Sequence, residues 1–418
     1  AGLSVSTGTQ NTLIGGLAGD ALTTGADNTA LGYNSLGAGV ASFYNTAIGK
    51  DALESDTTGR HSVAVGRHAL QTQNNTTSTD MYNVAVGSEA GASVTTGIEN
   101  TLLGGKAGDA LTDADRNVAI GYSALTTNTV GSESVAIGAF ALNSQNPATA
   151  TSMYNVAVGH NAGSAVTTGE NNTIIGGLAG DALTTGAQNV VVGQGALSGD
   201  TKGNHSVAVG REALSVQNFT TSTNAYNVAV GDRAGYQVTT GTQNTLIGGL
   251  AGDAMQGANN NVAVGYNAAG AVTIGGQNVA VGHGSLATNT VSDRNTAIGT
   301  DALATHTLGS GANGYNTAVG HSAGKAVTTG TLNVLIGGLA GDALTSGGEN
   351  VALGTSALSA DTLGKYSTAI GRGTLSVQNF TTDTATYNTA VGYQAGENVT
   401  TGVQNTIVGG LAGDAITD

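Results

Sequence analysis

Residues 11–27 read NTLIGGLAGDALTTGAD, residues 28–44 read NTALGYNSLGAGVASFY, and residues 45–49 open the same phrase again as NTAIG. Asn or Ser, then Val or Thr, then any residue, then Ile, Val or Leu, then Gly: this phrase recurs 23 times, the last copy starting at Asn405. Successive starts lie 17 residues apart, except that five of the coils are 21 residues long. A strict short period with Gly at one fixed place is the signature of stacked, near-identical turns of backbone. The fold class expected is all-β: a parallel β-solenoid, or β-roll, of about 23 coils.

Each coil is numbered from its Asn or Ser as place 1. Places 2 and 4 are β-branched or aliphatic and place 3 is usually Ala, so the period-two alternation predicts a short strand with places 2 and 4 on one face and place 3 on the other. The Gly at place 5 (Gly15, Gly32, Gly49, Gly66 and onward) predicts a bend that excludes a side chain. Stacked in register, Asn11, Asn28, Asn45, Asn83, Asn100 and Asn117 are expected to form a structural amide ladder. Eleven coils carry Leu at place 9 with a polar residue or Gly at place 12; the other twelve carry Gly or Ala at place 9 and Val, Leu, Met or Ile at place 12. One large apolar group per coil is kept while its address changes, so both places are expected to reach one interior space. Overfilling that space would cost about 1–3 kcal/mol. A disordered low-complexity chain has no reason to keep such an exchange.

The coils also form an ordered set. Type A reads VAVGxxAGxxVTTG, and type B, beginning at Asn11, Asn100, Asn172, Asn244, Asn333 and Asn405, reads close to TLIGGLAGDALTTG. Leu-bearing coils follow, then the 21-residue type D, giving a super-repeat of 72 residues that is stretched to 89 where an extra coil is present. In every B coil place 3 is enlarged to Leu or Ile and place 6 is Gly, a pairing that suggests large-for-small compensation between neighbouring turns. The expected organisation is one continuous array over residues 1–418, cut mid-coil at both ends because Ala1-Gly2 fall at places 8 and 9 and Asp418 at place 14. At about 4.8 Å per stacked strand, 23 coils would extend roughly 110 Å.

Ser134-Val-Ala-Ile-Gly138 and Asn45-Thr-Ala-Ile-Gly49 resemble the YadA-like head repeat of trimeric autotransporter adhesins, a left-handed parallel β-roll. Asn28-Thr-Ala-Leu-Gly-Tyr-Asn-Ser-Leu36 and Asn117-Val-Ala-Ile-Gly-Tyr-Ser-Ala-Leu125 are similar to repeat arrays of phage and bacterial tail-fibre proteins. The coil lengths and the 72-residue super-period depart from the adhesin head. The resemblance implies a homotrimer, intertwined or side by side, in an extracellular setting: a virion fibre or a bacterial cell surface. Independent support comes from the stripe at places 2 and 4: one face of the strands is expected to fill the roll and the other to meet partner chains, the alternative being a monomeric rod wide enough to take both faces inside. Left exposed, the stripe would be a large apolar patch, and a closed three-fold arrangement would bury it.

Composition narrows the function further. Only 9% of residues are charged, with 12 Lys and Arg and a formal net charge of −15. No basic cluster exists to displace phosphate counterions, so nucleic acid is not an expected partner, nor is an anionic membrane surface. No apolar run approaches the roughly 18 residues of a membrane span. Cys is absent, which removes disulfides and thiolate metal sites.

Candidate contact residues come from the D coils, whose insertions each end in Tyr: Tyr82, Tyr154, Tyr226, Tyr315 and Tyr387. Insertions in solenoids fall on loops at one face, often the binding face. Asn74, Asn75, Thr76, Asn146, Asn218, Phe219, Thr220, Asn379, Phe380 and Thr381 are the candidate receptor-contact residues, suited to a cell-surface glycan or protein receptor. Their usual spacing of four coils, about 19 Å, would favour avidity. For the Tyr residues, packing over a neighbouring coil is the expectation. Asp20, Asp109, Asp181, Asp253, Asp342 and Asp414 recur in phrases that resemble the calcium nonapeptide, but the second Gly is one place late and no adjacent turn repeats it, so a turn-capping Asp is expected. The seven His residues share no metal-ligand spacing and are expected at the surface. No phosphate loop and no Ser/His/Asp grouping stands out, so no enzyme activity, metal or cofactor is expected. The function expected is a non-catalytic fibre shaft or head giving rigid reach and multivalent attachment. The alternatives are a purely structural extracellular filament and, lower, an ice-binding solenoid built on the Thr-Thr-Gly phrases.

Overall fold

The computed structural model describes residues 1–309 and 311–418. Among the described residues there is no helix; the regular elements are 23 three-residue strands, one per coil, and six two-residue strands. The chain forms two compact units, residues 1–206 with 218–223, and residues 207–217 with 224–418. Eleven three-residue strands, Thr12–Ile14 to Val190–Val192, lie in the first unit and twelve, Val207–Val209 to Thr406–Val408, in the second. Within each unit neighbouring strands run parallel with like places paired, as in Thr12 with Thr29, Leu13 with Ala30 and Ile14 with Leu31. The same register recurs in the second unit, where Val228, Ala229 and Val230 pair with Thr245, Leu246 and Ile247. The protein is therefore an all-β parallel solenoid of about 23 turns.

The strand alternation sets inside from outside. Place 3 is buried and places 2 and 4 are half-exposed in strand after strand, for example Val63–Val65 and Val262–Val264. Ala or Ser at place 8, with either Leu at place 9 or an aliphatic residue at place 12, completes the interior: Ala18, Leu22, Leu36, Leu53, Val94, Leu183 and Met255 have no exposed surface. Both addresses thus reach the interior.

Compensation for the enlarged place 3 of B coils comes from place 9, not from place 6. A Cβ on Gly91 would lie 2.6 Å from the Leu102 side chain, and one on Gly108 would lie 2.8 Å from it. Gly235 and Gly252 flank Leu246 in the same way. Each large residue therefore sits between two place-9 glycines, one in its own coil and one in the coil before. The place-6 glycines are on the outside, where the rings of Tyr33, Tyr122 and Tyr266 lean over Gly16, Gly105 and Gly249.

Place 5 is Gly for a harder reason. Its φ is +138° at Gly66, and a Cβ there would meet the Gly87 carbonyl oxygen at 2.3 Å. An L side chain is excluded both by conformation and by the next coil.

Beyond the strands the backbone still hydrogen-bonds from coil to coil: the N–H groups of Gly19 and Thr23 donate to the carbonyls of Ser35 and Val40. The Asn ladder is a second such system. The Asn28 side-chain oxygen accepts the Asn45 N–H at 3.0 Å, and its Nδ2 donates to Ser42 O of its own coil at 2.7 Å. Asn83, Asn100 and Asn117 repeat the pattern. One amide thus closes its own coil and seats the next.

Candidate functional site: the 21-residue coils

Each D coil follows a Leu-bearing coil whose place 12 is acidic or an amide: Asp56, Asn128, Asp200, Asn289 or Asp361. In these five coils, with Leu at place 9, place 12 carries a polar group that is nevertheless fully buried. A buried polar atom without a partner costs about 1–3 kcal/mol, so the hydrogen bonds at this place decide how stable each coil is.

In the coil at 367–387 the account closes. The Asp361 carboxylate accepts the Gly364 N–H at 3.0 Å, Gln378 Nε2 at 2.6 Å and the Phe380 N–H at 3.1 Å. Gln378 also donates to Ser367 Oγ at 2.9 Å and accepts Asn388 Nδ2 at 2.8 Å. Ser at place 1 is too short to extend the Asn ladder, and the Gln amide bridges the gap. Gln73 does the same between Ser62 and Asn83, and Gln145 between Ser134 and Asn155. In the first of these sites Asp56 accepts the Gly59 N–H at 2.9 Å but reaches Gln73 only at 3.4 Å. Burial dominates there and pushes the Asp56 pKa up to about 6.

The fourth D coil departs from this arrangement. Asn295 stands at place 1 and carries the ladder itself, accepting the Asn316 N–H at 3.3 Å. Asn289 spends its amide on its own turn, through Ser292. At place 12 stands His306, fully buried, with no hydrogen-bond partner at either ring nitrogen among the described residues. Burial drives its pKa down to about 4, opposed only by the Thr328 backbone. The surface position expected for all seven His residues is thus wrong for His306, because the place it occupies faces inward whatever residue stands there.

The candidate receptor-contact residues separate into two groups. Phe219 and Phe380 are each 6% exposed and fold back over the preceding coil, Phe219 against Gly203, so these rings are unavailable as contacts. Asn74, Asn146, Asn218 and Asn379 are exposed, yet each side-chain oxygen accepts a hydrogen bond from Thr57, Thr129, Thr201 or Thr362 of the coil before. They continue a column of Thr hydroxyls at place 13. Asn75 is half-exposed, and its carbonyl accepts the Thr58 hydroxyl at 2.6 Å. Thr76, Thr220 and Thr381 remain as exposed tips. The insertions then run back along the preceding coil, pairing Thr151–Ser152 with Gly131–Ser132 and Thr384–Ala385 with Gly364–Lys365.

The terminal Tyr residues lie on the outside, and Tyr82, Tyr315 and Tyr387 pack on the preceding coil. Tyr82 lies 5.1 Å from the His61 ring, itself 4.8 Å from Tyr44; Tyr387 lies 5.2 Å from Tyr366; Arg294 sits 5.7 Å over Tyr315. Burial raises the carboxyl pKa of Asp181, Asp253 and Asp342 in the B coils, and one carboxylate oxygen of Asp181 and of Asp342 is buried with no hydrogen-bond partner among the described residues. Among the described residues no group of three His, Asp or Glu side chains is placed to hold a metal ion, and no helix is long and apolar enough to cross a membrane.

These features define a parallel β-solenoid repeat protein whose interior alternates apolar and polar coils. Compared with known proteins, the chain matches no family model, no curated protein and no solved structure.

The polar interior was missed by reading place 12 only for its apolar occupants. The available signal was a pairing: Ser62 goes with Gln73, Ser134 with Gln145, Ser206 with Gln217 and Ser367 with Gln378, while Asn295 goes with His306.

Proposed function

We propose that this chain is a non-catalytic structural fibre segment of the YadA-like or tail-fibre-like kind, extracellular, which self-associates side by side as a homotrimer. The observation that carries this reading is the outer sheet face. Its places 2 and 4 form a half-exposed aliphatic and Thr stripe in each unit, with Ile14, Leu31, Ile175, Ile247, Ile298 and Leu353 among its more exposed members. A soluble protein leaves few such continuous patches uncovered, and a second and third copy of the same stripe would be complementary by symmetry. The interior is filled by the chain's own residues, so side-by-side packing fits better than intertwining. Replacing Ile175 and Ile247 with Lys tests the face: the particle should fall to one chain mass while keeping its β spectrum, and an unchanged mass removes this interface.

Attachment to a glycan or protein receptor rests on the exposed tips alone, around Thr76, Thr220 and Thr381. The burial of Phe219 and Phe380, and the use of the neighbouring Asn oxygens within the coil stack, favour the second reading, a structural filament without a receptor. Binding of the intact chain to glycan arrays and cell surfaces, with the three tip Thr residues changed to Ala, separates the two. Loss of binding supports attachment; no binding by either form leaves the filament.

A further inference from the structure

His306 stands where the other four D coils place a Gln, and it is the one titratable side chain at place 12 of a D coil. We propose that the turn carrying His306, residues 299–309, is an acid-released point in the stack: taking up a proton on the imidazole opens this turn, while the equivalent turns of the other 21-residue coils stay closed.

The geometry supports a switch of this kind. The ring has no exposed surface, and among the described residues neither nitrogen makes a hydrogen bond; no carboxylate faces it, and the Thr328 backbone, too poorly placed for a full hydrogen bond, is the one group that favours its charged form. Charged and titratable groups on the three coils packed here are engaged on the outside. Asp301 pairs with Lys325 at 3.1 Å, and Asp293 accepts the Gly276 N–H. Arg294 holds Gln277 and Asn313, His283 stacks on Tyr266, and His321 is exposed. None of these interactions reaches the buried ring. An imidazolium therefore has to leave the interior to be solvated. The turn it would break is held by N–H groups of Leu303, Thr305 and Thr307 donating to Ala323, Lys325 and Thr328 of the next coil. Its counterpart has Leu375, Val377 and Asn379 donating to Ala395, Glu397 and Thr400. The two turns share one hydrogen-bond pattern and differ at place 12.

The sign follows from linkage. His306 titrates near 4 in the folded turn against 6.5 when solvated, so the open turn binds the proton more tightly. The stabilisation present above pH 6.5 is lost as the pH falls towards 4. Between pH 7 and pH 4.5 the opening equilibrium should rise on the order of 50-fold.

Hydrogen exchange of the full chain at pH 7 and pH 4.5, normalised to intrinsic exchange rates, reads this directly. Protection of residues 303–307 should fall by that factor relative to residues 375–379 of the same molecule, and H306Q should abolish the difference. Equal changes in both turns, or a pH response that survives in H306Q, overturns the proposal. If H306Q opens the turn at both pH values, the N295S/H306Q double variant, which recreates the Ser367/Gln378 pair, decides. A double variant protected at both pH values supports the proposal, and one still open or still pH-sensitive overturns it.

Discussion

Gln378 and His306 occupy the same place of the same kind of coil, and both are fully buried. The Gln378 side chain donates to Asp361 and Ser367 and accepts from Asn388; the His306 ring makes no hydrogen bond among the described residues. The difference arises one element away, at place 1. Where Ser is too short to carry the ladder, the Gln amide is needed and every polar atom finds a partner. Where Asn295 carries the ladder itself, place 12 is released from that duty and holds a side chain that merely fills space. A solenoid can thus vary its interior chemistry coil by coil without changing its backbone, because each coil answers only to its neighbours.

The largest effect expected is from Gln378→Leu. It leaves the Asp361 carboxylate, the Ser367 hydroxyl and the Asn388 amide short of partners in a dry interior, and should cost about 3 kcal/mol in the opening free energy of its turn. Hydrogen exchange of residues 375–379 measures it, and a cost below 1 kcal/mol would mean that water replaces the lost amide.

Next comes a comparison of sign between two buried titratable groups. Asp56 titrates near 6 in the fold against 3.8 when solvated. Its turn is therefore most stable below pH 3.8 and weakens as the pH rises through 6, the reverse of His306. The full swing is up to about 3 kcal/mol. Asp56→Asn should remove that dependence and stabilise the turn at pH 7 by about 2 kcal/mol. Exchange rates of residues 53–59 between pH 4 and pH 7 report it, and a turn that weakens on acidification contradicts the assignment.

His306→Leu sharpens the original comparison, since removing an unpartnered polar group should gain about 1 kcal/mol where Gln378→Leu loses. A loss at both places would show that His306 has a partner in solution. The smallest effect is outside: Tyr387→Ala removes the stack on Tyr366 and should cost about 0.5–1 kcal/mol, with no change in the pH response of either turn.

The backbone plan was legible in the sequence because it rests on steric absolutes. Gly66 and its equivalents tolerate no Cβ, so the place-5 Gly repeats without exception and announces the period. The alternation at places 2 to 4 likewise follows from which face is buried. Less legible were features in which one residue type serves two environments. Asp56, Gln73 and His306 read as surface residues by type, and only the stacking of place 12 beneath Leu-bearing coils puts them inside. Phe219 and Phe380 sit in Asn/Thr-rich insertions and read as exposed tips, whereas the insertion folds back and Phe219 packs over Gly203. The place-6 Gly of B coils suggested the wrong partner for Leu102, because two places of a coil close in sequence can point to opposite sides of the wall. Left-handed residues with side chains, such as Leu36 at φ +51° and Tyr44 at φ +59°, carry no sequence signal of their own.

The most direct test of the proposed fibre is the native mass of the unmodified chain by light scattering, with electron-microscope images of the same sample. Three times the 40.6 kDa chain mass, together with straight particles of uniform width, is the predicted result. A particle of one chain mass would contradict self-association and leave the outer aliphatic stripe facing solvent.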